Sequence, residues 1–241
     1  MIPQTVQTVL FSATFPQQVQ GFAQIFAPNA NQIFLQREEL TVSGIKQMYL
    51  DVSSHEDKYA ALVKFYGLMT IASSIIFVRT KATAEQLEQR MQAEGHQVAC
   101  LTGNLEGSAR DAVIDRFRGG NAKVLITTNV LARGIDVQSV TMVINYDVPD
   151  TPQGGADAET FLHRVGRTGR FGKVGVALTL ISDRKSFLLY QDICMKLNIQ
   201  PTKLDTDDWD NVERVVKQII KSSRNAQSAN AAGASEELMD N

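Results

Sequence analysis

The strongest constraint on this chain is a repeated alternation of short apolar runs, rich in β-branched residues, with longer stretches of helical spacing. From residue 45 onward the runs are Ile45–Val52, Ser74–Val78, Gln97–Leu101, Lys123–Thr127, Thr141–Tyr146 and Val174–Ile181. Among them the apolar residues recur at helical intervals over Glu56–Met69, Ala82–Glu94, Ser108–Arg118, Ala158–Arg167 and Lys185–Leu197. Gly95 stands where a helix needs its C-terminal cap. Such alternation predicts an α/β fold, a parallel sheet with helices on both faces. A last amphipathic helix is expected over Val212–Ile220, with Asp207 and Asp208 suited to its amino end.

The flanks read differently. Val6–Phe11 is expected to be a strand and Pro16–Phe26 a helix, with Val19, Phe22 and Phe26 at helical spacing and Pro28 closing the segment. Ile33–Leu35 suggests another short strand, and Gln36–Leu40 a polar linker. Residues after Ser223 are small and polar, and are expected to be disordered because they can bury little surface. With 241 residues, 44% of them hydrophobic, the chain has material for one full domain and some extra.

The net charge is −2, so contact with nucleic acid would need a local basic cluster rather than a polybasic surface. Cys100 and Cys194 sit among apolar neighbours and read as buried free thiols. His55, His96 and His163 lack ligand spacing, so no metal site is expected. No apolar run approaches the length of a membrane span, and no membrane insertion is expected.

Several strands run straight into polar residues: Arg79-Thr80, Thr102-Gly103-Asn104, Thr127-Thr128-Asn129 and Asn145-Tyr146-Asp147, with Arg133-Gly134-Ile135-Asp136 between the last two. Any one of these is ordinary turn chemistry. Four on one edge of a shared parallel sheet would mark a site, because ligands of open α/β sheets bind beyond the carboxyl ends of the strands.

The strongest local signal is His163-Arg164-Val165-Gly166-Arg167-Thr168-Gly169-Arg170. His163, Arg167 and Arg170 stand at i, i+4 and i+7, one stripe of a helix. The arginines have no acidic residue among them and two glycines between them, which predicts an anion site, since guanidinium forks match phosphate oxygens. A solvated basic helix end is the plainer alternative.

These residues resemble the DEAD-box RNA helicases, whose C-terminal half is a RecA-like α/β domain. Ser12-Ala13-Thr14 is similar to that family's coupling motif, Ile75–Thr80 to its fourth motif, Thr128–Asp136 to its fifth and His163–Arg170 to its sixth. Thr102–Gly107, Thr127–Val130 and the insert Asp150–Glu159 resemble the branch that exports mRNA at the nuclear pore. The resemblance implies that Arg167 and Arg170 act as arginine fingers on the γ-phosphate of ATP. His163 would connect them to Ser12 and Thr14, and Asp136, with Gly134 beside it, would bind the nucleotide. Thr128, Arg110 and Gly103 would touch the RNA backbone, giving binding that is sequence-independent and weakened by salt. Implied partners are RNA, a nucleoporin and an export activator bridged by inositol hexakisphosphate, with a location in nucleus and cytoplasm at the pore.

That family also needs a phosphate loop ending in Gly-Lys-Thr and an Asp-Glu-Ala-Asp strand that holds magnesium, and neither string occurs in this sequence. The expectation is therefore a piece of a longer helicase. Residues 1–36 would be a remnant of the first RecA-like lobe, 37–44 a linker, 45–222 the second lobe and 223–241 a tail. ATP and magnesium would be held largely by the missing first lobe, and the chain alone would be inactive. The competing reading is a non-catalytic module that binds RNA or a protein partner.

Overall fold

The computed structural model describes residues 6–11, 17–33, 44–52, 54–68, 73–103, 105, 107–129, 140–169 and 174–219. Contacts divide the chain into two units, Met1–Thr41 and Val42–Asn241. In the first, α1 covers Gln17–Phe26. Residues 6–11 join no strand ladder, so the expected strand is not formed there. A strand needs a neighbour to hydrogen-bond, and among the described residues none pairs with 6–11. Ile33 is likewise outside any strand, and Phe34 and Leu35 lie outside the described residues.

The second unit contains β1 (Ile45–Asp51), α2 (His55–Leu68), β2 (Ser74–Phe77), α3 (Lys81–Ala93), β3 (Val98–Leu101), α4 (Gly107–Arg118), β4 (Val124–Thr127), β5 (Met142–Asn145), α5 (Ala158–Val165), β6 (Gly175–Ile181), α6 (Arg184–Lys196) and β7 (Thr202–Leu204). A helix over 209–219, here α7, follows. The strands form one sheet in the order β3-β4-β2-β5-β6-β1-β7, every pair parallel.

The period of two along each strand builds the layers. Ile76 and Val78, Met142 and Ile144, and Leu178 and Leu180 face a core with Leu62 and Phe65 of α2, Leu87 and Met91 of α3, and Val212 and Val216 of α7. Their alternates face the other side: Phe77 and Val143 with Ile114 and Phe117 of α4, and Ala177 and Ile181 with Phe161 of α5 and Ile193 of α6. The fold is a RecA-like α/β sheet covered by helices on both faces.

Short polar residues start the helices. Thr80, Asp157 and Asp183 accept the backbone N–H groups of Thr83, Thr160 and Ser186, capping α3, α5 and α6. Two elements differ from expectation. The edge strand β7 escapes sequence reading because it has three residues, of which only Leu204 is buried. Helix α5 ends at Val165 rather than continuing to Arg167, because Gly166 caps it. The linker expected over 37–44 lies outside the described residues apart from Gly44, as does the whole of the tail expected over 223–241. Cys100 and Cys194 are free thiols, half-buried rather than buried.

Candidate functional site

Because every strand runs the same way, the exits of β3, β4, β2, β5 and β6 line one edge in that order. The last residues of β3, β4, β2 and β5 fall in a single transverse row with Thr179, two residues short of the end of β6: Leu101 opposite Thr127, Thr127 opposite Phe77, Phe77 opposite Asn145 and Asn145 opposite Thr179. Thr127 Oγ1 donates to the Leu101 carbonyl at 2.9 Å, and Asn145 Nδ2 donates to Thr179 Oγ1 at 3.3 Å. The row keeps the exits level. After β2 the chain turns towards β4, and after β5 towards β6, so the gap between β2 and β5 is a topological switch point, where α/β sheets hold ligands.

The expected RNA-facing residues stand at neighbouring exits. Gly103 is exposed just after β3, Thr128 is half-buried just after β4, and Arg110 lies on the first turn of α4. His163 and Arg167 come from the end of α5 and the turn beyond it. Asp136 and Gly134, Arg170, and Ser12 and Thr14 lie outside the described residues.

The basic motif differs from the stripe expected of it. Beyond α5 the N–H groups of Arg167 and Thr168 bond the carbonyls of Arg164 and Val165, three residues back. The chain thus tightens out of the α-helix before Arg167. Arg167 folds back, and its Nε donates to the His163 carbonyl at 3.1 Å, placing a cation at the helix carboxyl end. Thr168 Oγ1 then reaches the Val140 carbonyl at 2.9 Å. Gly169, at φ 71°, crosses Gly175 so closely that a Cβ on Gly175 would sit 2.5 Å from the Gly169 nitrogen. Only glycine fits that crossing.

Nor do all three arginines form an anion site. Arg164 is 2% exposed, and its guanidinium is spent on the protein. Nε and Nη2 donate to Asn129 Oδ1 at 2.8 and 2.5 Å, while Nη1 donates to Asn145 Oδ1 at 3.1 Å and to the Asp147 carbonyl at 2.6 Å. The group lies 5.2 Å from the centre of the Phe77 ring. Burial lowers its pKa, and the carboxylates of Asp147, Asp157 and Asp150 act the other way. A guanidinium starts high enough to stay charged at neutral pH. Helical spacing gave the signal for this inward position: Phe161, Arg164 and Val165 stand at i, i+3 and i+4 and are the buried residues of α5.

Lys58 of α2 also went unnoticed in the sequence. It is 2% exposed and reaches the same place from the opposite face of the sheet. Its Nζ donates to the Tyr146 carbonyl at 2.9 Å and to Asp147 Oδ1 at 3.1 Å. Asp147 Oδ2 accepts the Arg79 N–H at 2.8 Å, tying the exits of β5 and β2 together. Farther out, Asp150 stands 3.4 Å from Arg79 and 3.8 Å from Lys185. The arrangement is a rim of backbone and hydroxyl groups over β3 and β4, braced from beneath by buried charges, while the arginine-bearing end of α5 lies towards the strand entries, where Thr168 meets Val140 and Gly169 meets Gly175.

Comparison with known proteins fits this geometry. The model of the helicase conserved C-terminal domain matches residues 57–172. The ATP-dependent RNA helicase DBP5 of Phaeosphaeria nodorum is 63% identical over 225 residues, covering 93% of this chain and 48% of that protein. The chain thus spans about half the length of the curated relatives it matches. The structure of S. cerevisiae Dbp5 bound to RNA and ADP BeF3 superposes with a TM-score of 0.83 at 50% identity, over 91% of this chain and 56% of that one. The C-terminal domain of S. cerevisiae Dbp5 L327V, bound to Gle1 H337R and IP6, gives 0.69 at 49% identity, over 73% of this chain and 99% of that domain. A chain that reproduces nearly the whole of that domain, and shares half its residues, belongs to the DEAD-box family of RNA helicases, in the Dbp5 branch, and carries the helicase C-terminal domain.

Proposed function

We propose that this chain acts as the second lobe of an ATP-dependent RNA helicase that remodels RNA and ribonucleoprotein during mRNA export. The observation that carries the reading is the placement of Gly103 and Thr128 on adjacent strand exits, in a lobe whose α5 starts beside that edge and carries His163 and Arg167 to its other end, where Thr168 bonds the Val140 carbonyl ahead of β5. One lobe then serves two ligands at two places: RNA backbone over the exits of β3 and β4, with Arg110 beside it, and nucleotide phosphate at the carboxyl end of α5. A relative bound at once to RNA and ADP BeF3 supports the two classes of ligand. In this reading Arg167 and Arg170 stabilise charge developing on the γ-phosphate, His163 links them to Ser12 and Thr14, and Asp136 and Gly134 hold the nucleotide.

Phosphoryl transfer depends on positioning and charge stabilisation, so the arginines need a first lobe that cradles the phosphates. Residues 1–36 are assigned to that lobe. The described residues bring together no group of three His, Cys, Asp or Glu side chains that could hold a metal ion. The magnesium that accompanies ATP is assigned to acidic residues of the first lobe. RNA and ATP would draw the two lobes together and hydrolysis would release them. Complexes of Dbp5 with Gle1, IP6 and Nup159 support a Gle1-type activator with IP6 and a nucleoporin as partners, and a location at the nuclear pore between nucleus and cytoplasm.

A second reading, a non-catalytic RNA- or partner-binding module, is favoured by the absence of Gly-Lys-Thr and Asp-Glu-Ala-Asp from the sequence. Titrating labelled oligouridylate and measuring ATP turnover, with the chain alone and with a first lobe joined to its amino end, separates the two. The helicase reading expects RNA-stimulated turnover from the joined protein and none above background from the chain alone. Joined protein that binds RNA without turning over ATP would leave the binding module.

A further inference from the structure

Lys58 and Asp147 form a buried ion pair at 3.1 Å, with their side chains 2% and 11% exposed. Such a pair adds little net stability over apolar residues of the same shape, because desolvation offsets the attraction. Its presence beneath the site therefore calls for a geometric explanation, and the contacts supply one. From α2, on one face of the sheet, Lys58 holds both the Tyr146 carbonyl and the Asp147 carboxylate. From α5, on the other face, Arg164 holds the Asp147 carbonyl and, through its remaining nitrogens, Asn129. The second carboxylate oxygen of Asp147 holds the backbone of Arg79. Asp147 is thus the point at which the exits of β2, β4 and β5 are joined across both faces, and Thr128 is the residue next to Asn129.

We propose that Lys58 is a positioning residue: clamping Asp147, it sets the exits of β2 and β5 directly and that of β4 through Arg164, and so presents the RNA-facing rim. The inference rests on the RNA-binding reading above. Lys58 touches no substrate in this account. It acts through Asp147.

The test uses the 241-residue chain. Lys58→Met keeps the aliphatic stem but strands the Asp147 charge. Lys58→Met combined with Asp147→Asn removes that charge and keeps an oxygen for the Arg79 N–H, so thermal stability returns towards wild type. Amide hydrogen exchange and titration with fluorescent oligouridylate are then read on all three proteins. Lys58→Met should speed exchange at Arg79 and Asp147 tenfold or more, with Leu50 and Leu178 inside β1 and β6 unchanged. Both variants should bind oligouridylate at least fivefold more weakly, including the one whose melting temperature has recovered. A double variant that melts and binds like wild type would reduce the pair to a stability element and overturn the proposal, as would a uniform rise in exchange across the sheet. RNA binding by wild type that neither variant alters defeats the proposal alone. Absence of RNA binding by wild type, both alone and with a first lobe joined to its amino end, defeats the reading beneath it as well.

Discussion

Arg164 grips Asn129 with two nitrogens, Nε at 2.8 Å and Nη2 at 2.5 Å from the same side-chain oxygen. The bond joins α5 to the exit of β4, segments 35 positions apart in sequence. Its planar fork does what an ammonium cannot, meeting one acceptor with two donors while a third nitrogen serves Asn145 and Asp147. Arg164→Met should destabilise the second unit by about 3–5 kcal/mol, because it leaves several buried acceptors unpaired and Asp147 with less positive charge nearby. Arg164→Lys should recover less than half of that. Urea unfolding of the purified chain measures both, and a Met variant within about 0.5 kcal/mol of wild type would rule the bracing role out.

The crossing of Gly169 and Gly175 gives a second prediction, about shape alone. A Cβ on Gly175 would come within 2.6 Å of Thr168 Cγ2 and 2.5 Å of the Gly169 nitrogen, both held by a tight turn. Gly175→Ala should cost about 1–3 kcal/mol by overpacking. Gly155→Ala is the control: its Cβ would meet only Thr151 Oγ1, at an ordinary 3.5 Å, and the change should stay within about 0.5 kcal/mol. Equal melting temperatures for the two variants would show that the crossing tolerates bulk.

Asp183 predicts an acid dependence. The Ser186 backbone N–H holds its carboxylate below the usual range, with smaller help from the Ser186 side chain, Lys58 and His55, while burial works the other way. A folded-state pKa below the unfolded one means a contribution to stability that is complete above the ordinary aspartate range. It fades as pH falls through the lower folded value. Asp183→Ala should therefore cost about 1 kcal/mol at neutral pH, as the loss of a helix cap does, and less at strongly acid pH, where a neutral carboxyl still accepts the Ser186 N–H but without its charge. Melting curves of the pair from neutral pH downwards should converge. A gap that stays constant with pH would mean that the cap works without its charge.

The two thiols should be slow to react. Burial pushes Cys100 up to about 12, with Glu88 and Glu85 adding to it, and pushes Cys194 up to about 11. Thiolate is the reactive form, so iodoacetamide at about pH 8 should modify both far more slowly than a free cysteine. Mild urea should raise the rate in step with unfolding. Modification of the folded chain at the rate of a free thiol would contradict this burial.

The sheet and its helices were legible because they rest on local periodicity: Ile76 and Phe77 differ by one position and face opposite layers. What escaped reading depends on long-range partners. Arg164 looked like one more basic residue until Asn129 and Asp147 supplied acceptors for it. Lys58 sits 89 positions from its carboxylate, and nothing near it in sequence announces the pair. The missing strand at 6–11 has the same cause, since a ladder is made by a partner that sequence spacing does not reveal.

Arg164 and Arg167 should part company in function. Arg164 is interior, whereas Arg167 is half-buried beyond the helix end, with Nε on the His163 carbonyl, next to Thr168, whose hydroxyl bonds the Val140 carbonyl ahead of β5. In a two-lobe protein carrying this sequence as its second half, Arg167→Ala should lower ATP turnover about a hundredfold or more, as loss of a finger arginine does. The melting temperature should fall less than in Arg164→Met, because Arg167 is half-buried where Arg164 is 2% exposed, and RNA affinity should change little. Arg170→Ala is expected to behave alike in turnover. Arg164→Met should instead lower turnover and melting temperature together. Near-normal turnover in both Arg167→Ala and Arg170→Ala would remove the finger assignment and leave the basic turn as a helix-end charge.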